Sequence, residues 1–482
     1  MKDIRKLEPG VVWHYFHEIT QIPRPSKKEK KMVDFVVKFG KDHKLETIVD
    51  KTGNVIIRKP ATRGMEKRKG IIFQSHLDMV PQKNSDKKHD FEKDPIEAIV
   101  DGEWVKANGT TLGSDNGIGV AATLAVLASK DITHGPLEAL FTIDEETGMT
   151  GANGLKKGLL KGDILMNLDS EDEGELYVGC AGGIDVSVTK KYREEKSPRG
   201  MSAYRVDIKG LKGGHSGVDI ALGRANSNKL MFRFLMKAES DFGIRLAEAA
   251  GGDLRNAIPR EAYSVLLVAG VKATQFEKFV KGYEKIYRKE FSETEPTLSF
   301  KCKKIKTPAR VMSKTEQYKI IRSIFACPNG VQRMSQAMPG LVETSNNLAI
   351  VKCGAGKFEA HNLTRSSVDS AKEAIAWKIA AVFHLINAKV TLSGSYPGWK
   401  PNMESPILET MSGVYKKMYG KIPEIKAIHA GLECGIIGGV YTNLDMISFG
   451  PTIKYPHSPD EKVNIVSVKK FFDFLCETMK KV

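Results

Sequence analysis

From about Lys190 the sequence changes texture, and near Asn387 it changes back. Over roughly the first 180 residues, short apolar runs alternate with helical periodicity. "GIIFQSHLDMV", "LEALFTI" and "GDILMNLDS" read as strands, and "NGIGVAATLAVLAS" reads as a buried helix. Such alternation predicts an α/β unit with a mostly parallel sheet. The stretch that follows is built differently. Its strands, such as "SAYRVDIKGL", "AYSVLLVAGV", "TLSFKCKKI" and "NLAIVKCG", are separated by amphipathic helices such as "TQFEKFVKGYEKIYRKEF". After the long helix "VDSAKEAIAWKIAAVFHLINAK" the first texture returns and closes on "VSVKKFFDFLCETMKKV". The pattern predicts one α/β domain over 1–184 and 388–482, interrupted by an inserted α+β domain over 185–387. The insert is long enough to hold two similar α+β halves.

A chain of 482 residues has core enough for two or three domains. Its six cysteines are scattered without C-x-x-C spacing, which predicts reduced thiols rather than a disulfide framework. The opening "MKDIRKLEPG" has no apolar signal region, and no apolar run nears the ~18 residues of a membrane span. The expectation is a cytoplasmic protein with no membrane partner. The net charge of +16 raises the question of nucleic acid. But the lysines are dispersed and no nucleic-acid motif accompanies them, so a solvated basic surface is expected. His14, His17 and Glu18 lack metal-helix spacing and are interleaved with Trp13 and Phe16. They read as the outer face of an amphipathic helix.

Chemistry-bearing residues gather at the ends of the α/β strands, where sheets of this class bind ligands. His76 and Asp78 end "IIFQSHLD", Asp115 opens the buried helix, Glu145 and Glu146 follow "LEALFTID", and Asp169 ends "ILMNLD". His457 follows the strand "DMISFG". Each alone is an ordinary polar residue or helix cap. Together they form a mixed His/carboxylate set suited to two divalent ions such as zinc. Residues two apart in an extended segment face the same side. His76 can therefore bind a metal through one ring nitrogen while Asp78 holds the other. Glu145 and Glu146 are adjacent and point differently, so one can bind metal while the other acts as base on a metal-bound water. In the insert, His215 and Ser216 lie on the glycine-rich turn "LKGGHSGVDI", with Asn256 in "LRNAIPR" and Arg365 in "HNLTRSSVDS". A histidine, an amide and a guanidinium can hold a polarised carbonyl and a terminal carboxylate.

"SHLDMVP", "LGSDNGIG", "DEETGM", "NLDSEDEGELYVGCAGG", "GGHSGVDI", "RNAIP" and "YPHSPDE", in this order, resemble the M20 metallopeptidases. The likeness is to their aminoacyl-histidine (Xaa-His, β-alanyl-histidine) dipeptidase subgroup and runs nearly end to end. It implies a zinc-exopeptidase-like catalytic domain holding two Zn2+, with Mn2+ or Co2+ as substitutes, and an inserted lid domain. It implies His76 and Asp169 on one ion, Glu146 and His457 on the other, and Asp115 bridging them. Asp78 matches the acid that orients His76, and Glu145 the general base and later proton donor. The peptide bond after the bridging Asp is often cis in this family, here Asp115–Asn116. His215 matches the lid histidine that stabilises the tetrahedral intermediate. Asn256 and Arg365 match substrate contacts, the Arg at the terminal carboxylate. Glu433, in "HAGLECG", falls near the substrate's free amino group. Ser114 stands where many relatives carry Ala.

The implied reaction is hydrolysis of dipeptides with a free amino end, Xaa-His and β-Ala-His among them. The double-sized insert implies lid contacts from within one chain, in a monomer or a homodimer. An M20-type N-acyl amino-acid deacylase is the first alternative, and the subgroup likeness weighs against it. A non-catalytic basic binding protein is the second, and the intact ligand set weighs against that.

Overall fold

The computed structural model of the chain describes residues 3–482. Two compact units emerge. The first takes the chain up to Gly179 together with Pro401–Ala427 and Leu432–Val482. The second takes Cys180–Lys400 and Ile428–Gly431.

In the first unit, helices α1 (Gly10–Thr20) and α2 (Lys30–Asp42) precede strands β1 (Glu46–Val49), β2 (Val55–Lys59) and β3 (Ile71–His76). A hairpin of β4 (Ala98–Asp101) and β5 (Trp104–Ala107) follows. Then come helix α3 (Ser114–Ala128) and strands β6 (Leu137–Thr142), β7 (Ile164–Asn167) and β8 (Glu175–Cys180). The main sheet has the order β1, β2, β6, β3, β7, Asp445–Ser448, β8, Glu424–Ile428. Its centre is parallel: β6 with β3, β3 with β7, and β7 with Asp445–Ser448. Every residue of β3, β6 and β7 is buried. Parallel strands covered on both faces have no wet side, hence their near-continuous apolar runs. On α1, Val12, Trp13, Phe16 and Ile19 are buried while His14 and Glu18 are exposed, so the helix is amphipathic.

Helix α3 buries nearly all of its residues, and small side chains let it lie close to the sheet. A Cβ on Gly119 would stand 2.5 Å from both Asn116 Oδ1 and the Leu168 carbonyl. The first turn is irregular: Asp115 and Asn116 leave helical dihedrals, and the bond between them is cis. Gly113 precedes it at φ 71°, a left-handed conformation that glycine adopts without a Cβ clash. The carboxyl ends of the parallel strands thus meet the start of α3.

The second unit is built on one nine-stranded sheet. Its main order is Ser299–Ile305, Met201–Lys209, Ala262–Ala269, Arg245–Gly251, Val342–Gly354, Lys357–Ser366, Gly182–Lys191, Lys389–Tyr396. The ladders are antiparallel. Helices Ser227–Phe242, Ala273–Glu290, Lys314–Ala326 and Asp369–His384 share its core, which includes Phe234, Phe276, Phe300, Phe358 and Phe383. Lys389–Tyr396 pairs with Gly182–Lys191 and so belongs to this unit, as does the segment around His429. The texture of the sequence had put both in the outer domain, because periodicity marks an element but not its partner strand. Residues 180–400 carry 37 Lys and Arg against 20 Asp and Glu, and the remainder 37 against 38. The basic excess therefore sits wholly on the insert, and acids of the first unit must find their compensation locally.

Among the described residues, no helix is long and apolar enough to cross a membrane. Gly119→Ala would press a methyl onto the Leu168 carbonyl, which belongs to backbone and cannot rotate away. Overpacking of this kind costs about 1–3 kcal/mol. The substitution is expected to lower the midpoint of thermal unfolding. An unchanged midpoint would show that α3 can shift off the sheet.

Candidate metal centre

Strand β3 delivers His76 at its last position, fully buried. The ring's Nε2 lies 3.0 Å from Asp115 Oδ1 and 3.4 Å from Asp169 Oδ1. Its Nδ1 faces Asp78 Oδ1 at 3.3 Å. His457 presents Nε2 to Asp115 Oδ2 at 3.1 Å and to Glu146 Oε2 at 3.0 Å. The two oxygens of Asp115 are thus divided, one to each imidazole. His76, Asp115 and Asp169 have donor atoms within 4.8 Å of one another, and so do Asp115, Glu146 and His457. Glu145 joins His76 and Glu146 in a third such group. The structure brings all seven of these sequence-selected residues of the first unit into one place.

This donor set fits two divalent cations. It combines imidazole nitrogens with carboxylate oxygens, the mixture that zinc and its neighbours take. Glu146 Oε1 is buried without a hydrogen-bond partner, which is costly for a carboxylate unless a cation meets it, and Asp169 Oδ1 has only the His76 ring at 3.4 Å. The electrostatics agree. Burial pushes Asp169 up to about 6, and Asp115 and Glu146 add to the rise against the pull of His76. Burial also holds Glu145 well above the ordinary carboxylate range, with Asp169, Glu433 and Glu146 adding to the push. For His76, burial works downward but is outweighed by Asp169, Asp115 and Asp78, leaving it well above 6.5. Hydrogen bonds to Asp115 and Glu146 lift His457 to about 11. The rings themselves must carry the positive charge these acids demand. Divalent cations would take over that charge and let both rings bind as neutral imidazoles.

Main-chain ties hold the ligand loops. Asp78 accepts the Glu145 and Glu146 amides at 3.0 and 3.2 Å and the Ser26 hydroxyl at 2.8 Å. It therefore fixes the acidic loop as well as facing His76. Burial opposes its charge, but His76 and these donors bring it down to about 2. Arg24 is buried and donates to the Leu77 and Asp78 carbonyls at 3.0 and 2.6 Å and to the Gly113 carbonyl. Glu461, also buried, accepts from the amides of Leu112, Gly113 and Ser114 at 2.8, 3.0 and 2.7 Å, and from the Ser114 hydroxyl at 2.6 Å. The Ser114 hydroxyl thus has a partner. Sequence reasoning missed Arg24, Ser26 and Glu461, because side-chain bonds to main chain leave no spacing pattern. Asp144 receives the hydroxyls of Thr147 and Thr150 and lies apart from these three groups, in a separate buried group with Glu29 and Asp78.

Glu433 is almost wholly buried, at 1% exposure. Its Oε2 accepts from Gln74 Nε2 at 2.5 Å and Thr142 Oγ1 at 2.7 Å, while Oε1 has no hydrogen-bond partner. Burial pushes it up to about 7. Gln74 in turn takes Asn167, and Asn167 takes the Ser448 hydroxyl at 2.5 Å, so a buried polar chain crosses the parallel strands. The sequence expectation placed Glu433 near the substrate's free amino group, and the structure buries it in this polar chain with one oxygen left unpartnered.

The insert carries the other selected residues. His215 Nδ1 accepts the amides of Gly217 and Val218, both at 3.2 Å, leaving Nε2 as the outward nitrogen. Burial and then the Arg365 charge lower its pKa. The Asn256 carbonyl accepts the Ser216 amide at 2.7 Å. Asn347 Nδ2 grips the carbonyls on either side, of Arg255 and Ala257, at 3.3 and 2.8 Å. His215 and Asn256 line a cavity of about 830 Å3. Arg365 is buried, donates to the Tyr396 hydroxyl at 3.0 Å and keeps Nε without a hydrogen-bond partner. Its register partner Ser345 meets His429 Nε2 at 2.8 Å.

Residues 72–481 match the family model described as Peptidase family M20/M25/M40. The chain belongs to this family. It is 44% identical to the cytosol non-specific dipeptidase of Escherichia coli (strain K12) over 482 residues, 100% of this chain and 99% of that protein. It is similar to the crystal structure of aminoacylhistidine dipeptidase from Vibrio alginolyticus, with a TM-score of 0.96 and 46% identity. That match covers 100% of this chain and 98% of the other. A tripeptidase from Staphylococcus aureus shares the fold alone, with a TM-score of 0.56 and 16% identity over 98% of each chain. The M20 fold expected from the motifs is the one observed.

Chelation tests the electrostatic reading. Asp169 ionises near 3.8 when unfolded and near 6 in the folded, metal-free protein. Its burial therefore costs nothing below the lower value and its full amount above the higher one. The raised imidazoles stabilise fully below 6.5 and lose that contribution only as pH climbs through their folded values. From pH 4 to 7 the chelated protein should lose thermal stability, and its gap from the metal-loaded protein should widen. A gap independent of pH would contradict the crowding of acids described here.

Proposed function

We infer that this chain is a metal-dependent dipeptidase that hydrolyses dipeptides with a free amino end, Xaa-His among them. The observation that carries the reading is the division of Asp115 between two imidazole–carboxylate groups with Glu145 beside them. Two Zn2+ ions fit this set, with Mn2+ or Co2+ as substitutes. His76 and Asp169 would hold one, Glu146 and His457 the other, and Asp115 both. The ions when bound polarise the scissile carbonyl and acidify water.

The protein's own groups do the rest. Asp78 steadies the His76 ring and anchors the loop that presents Glu145. The Glu145 carboxylate takes the proton of the attacking water and returns it to the leaving amine. Its buried, acid-crowded surroundings raise its proton affinity toward the working range of a general base. His215 is assigned to the oxyanion, and Asn256 and Arg365 to the substrate, the guanidinium at its terminal carboxylate. Both dipeptidase relatives support peptide substrates over N-acyl amino acids. The Escherichia coli relative, named as cytosolic, supports a cytoplasmic location.

Glu145→Gln is expected to keep its metal and lose about 10²–10⁴-fold in turnover, the usual worth of a general base. Asp115→Ala is expected to lose both ions, read by metal analysis after dialysis. Wild-type turnover in Glu145→Gln would sink the base assignment. A panel of Gly-His, β-Ala-His, Leu-Leu and N-acetyl-His tests the substrate class. Hydrolysis of N-acetyl-His in preference to the three dipeptides would favour the deacylase.

A further inference from the structure

We propose that Arg24 and Glu461 are positioning residues that separately tune the two halves of the metal centre by tying its ligand loops together through main chain. The proposal rests on the two-metal reading above. Neither side chain touches a ligand's donor atom. Arg24 bonds only to carbonyls: those of Leu77 and Asp78, just after His76, and that of Gly113, two residues before Asp115. It therefore sets the distance between the His76 loop and the Asp115 loop. Its own carbonyl accepts the Met79 amide at 3.2 Å, which pins the clamp to the same strand end. A Cβ on Gly113 or Gly117 would stand 2.6 or 2.8 Å from Arg24 Nη2, so the guanidinium is close-packed and not free to relax.

Glu461 works from the other side. It lies four residues after His457 and takes four successive amides, Leu112 to Asp115, the last at 3.4 Å, with the Ser114 hydroxyl as a fifth donor. These amides lead into α3, where a carboxylate also meets the positive end of the helix dipole. Glu461 thus fixes the His457 loop to the Asp115 loop. Its interactions are charge-assisted and buried, so they are stiff as well as strong. The two clamps meet on one short segment, Leu112–Asp115, but lead to different ligands. Arg24 leads to the His76, Asp115 and Asp169 group, and Glu461 to the Asp115, Glu146 and His457 group.

The test is calorimetric titration of the chelated protein with Zn2+, a readout independent of activity. His76→Ala and His457→Ala assign the two binding steps. Glu461→Gln is expected to weaken the step that His457→Ala removes by about 10–100-fold, the range seen for outer-shell partners of metal ligands. The other step should hold within about threefold. Arg24→Lys is expected to do the reverse. Ser114→Ala removes one donor to Glu461 and should weaken the same step as Glu461→Gln, by less. It decides the matter for Glu461 if Glu461→Gln fails to fold, and Arg24→Gln does so for Arg24. Folded variants with both steps unchanged, or with both weakened equally, would overturn the proposal. A wild-type protein that takes up no Zn2+ would instead overturn the two-metal reading.

Discussion

Asp115, Glu145, Glu146 and Asp169 bring four half-buried carboxylates into one place. At 4 Å, two like charges repel by about 4 kcal/mol in a medium of effective dielectric 20. The first unit has no basic excess to absorb this, since the surplus of lysine and arginine lies on the insert. Two imidazoles are the nearest counter-charges, and their basicity rises accordingly. The arrangement is a poor way to stabilise a protein on its own groups. It is a good way to bind cations and to keep a general base that prefers its proton.

Such a site must be held open against its own repulsion. The parallel sheet supplies the frame, because β3, β6 and β7 end close together and are buried on both faces. The frame alone does not aim the loops. Asp78, Arg24 and Glu461 do that by bonding to peptide groups rather than to side chains. Peptide groups are close to the chain's rigid geometry, so a bond to them fixes a loop more firmly than a bond to a rotatable side chain. The insert uses the same device. Asn347 grips the carbonyls that flank Asn256, and the amides of Gly217 and Val218 orient His215.

Much of the fold and of the candidate site was legible in the sequence. Period-two and period-3.6 runs marked most of the strands and helices, and strand ends carried the acids and histidines. The rest was hidden for identifiable reasons. Arg24 reads as an ordinary residue in "IPRPS", since its partners are carbonyls over 50 positions away. Lys389–Tyr396 read as the start of the outer domain, since nothing in a strand's own pattern names its neighbour. The hydrogen bonds that bury Glu433 were hidden too, since they join it to Gln74 and Thr142, 359 and 291 positions away.

The sequence by itself determined the residue types, their local geometry and the family they resemble. Side-chain alternation put His76 and Asp78 on one side, and adjacency split Glu145 from Glu146. Those are properties of a few consecutive bonds, and a chain cannot avoid them. Only the tertiary structure decided that one carboxylate, Asp115, is shared by two histidines from loops 381 positions apart in the chain. It also decided which charges are buried and which peptide groups are gripped. Burial and distance depend on the packing of the whole unit, and no local stretch of sequence contains them.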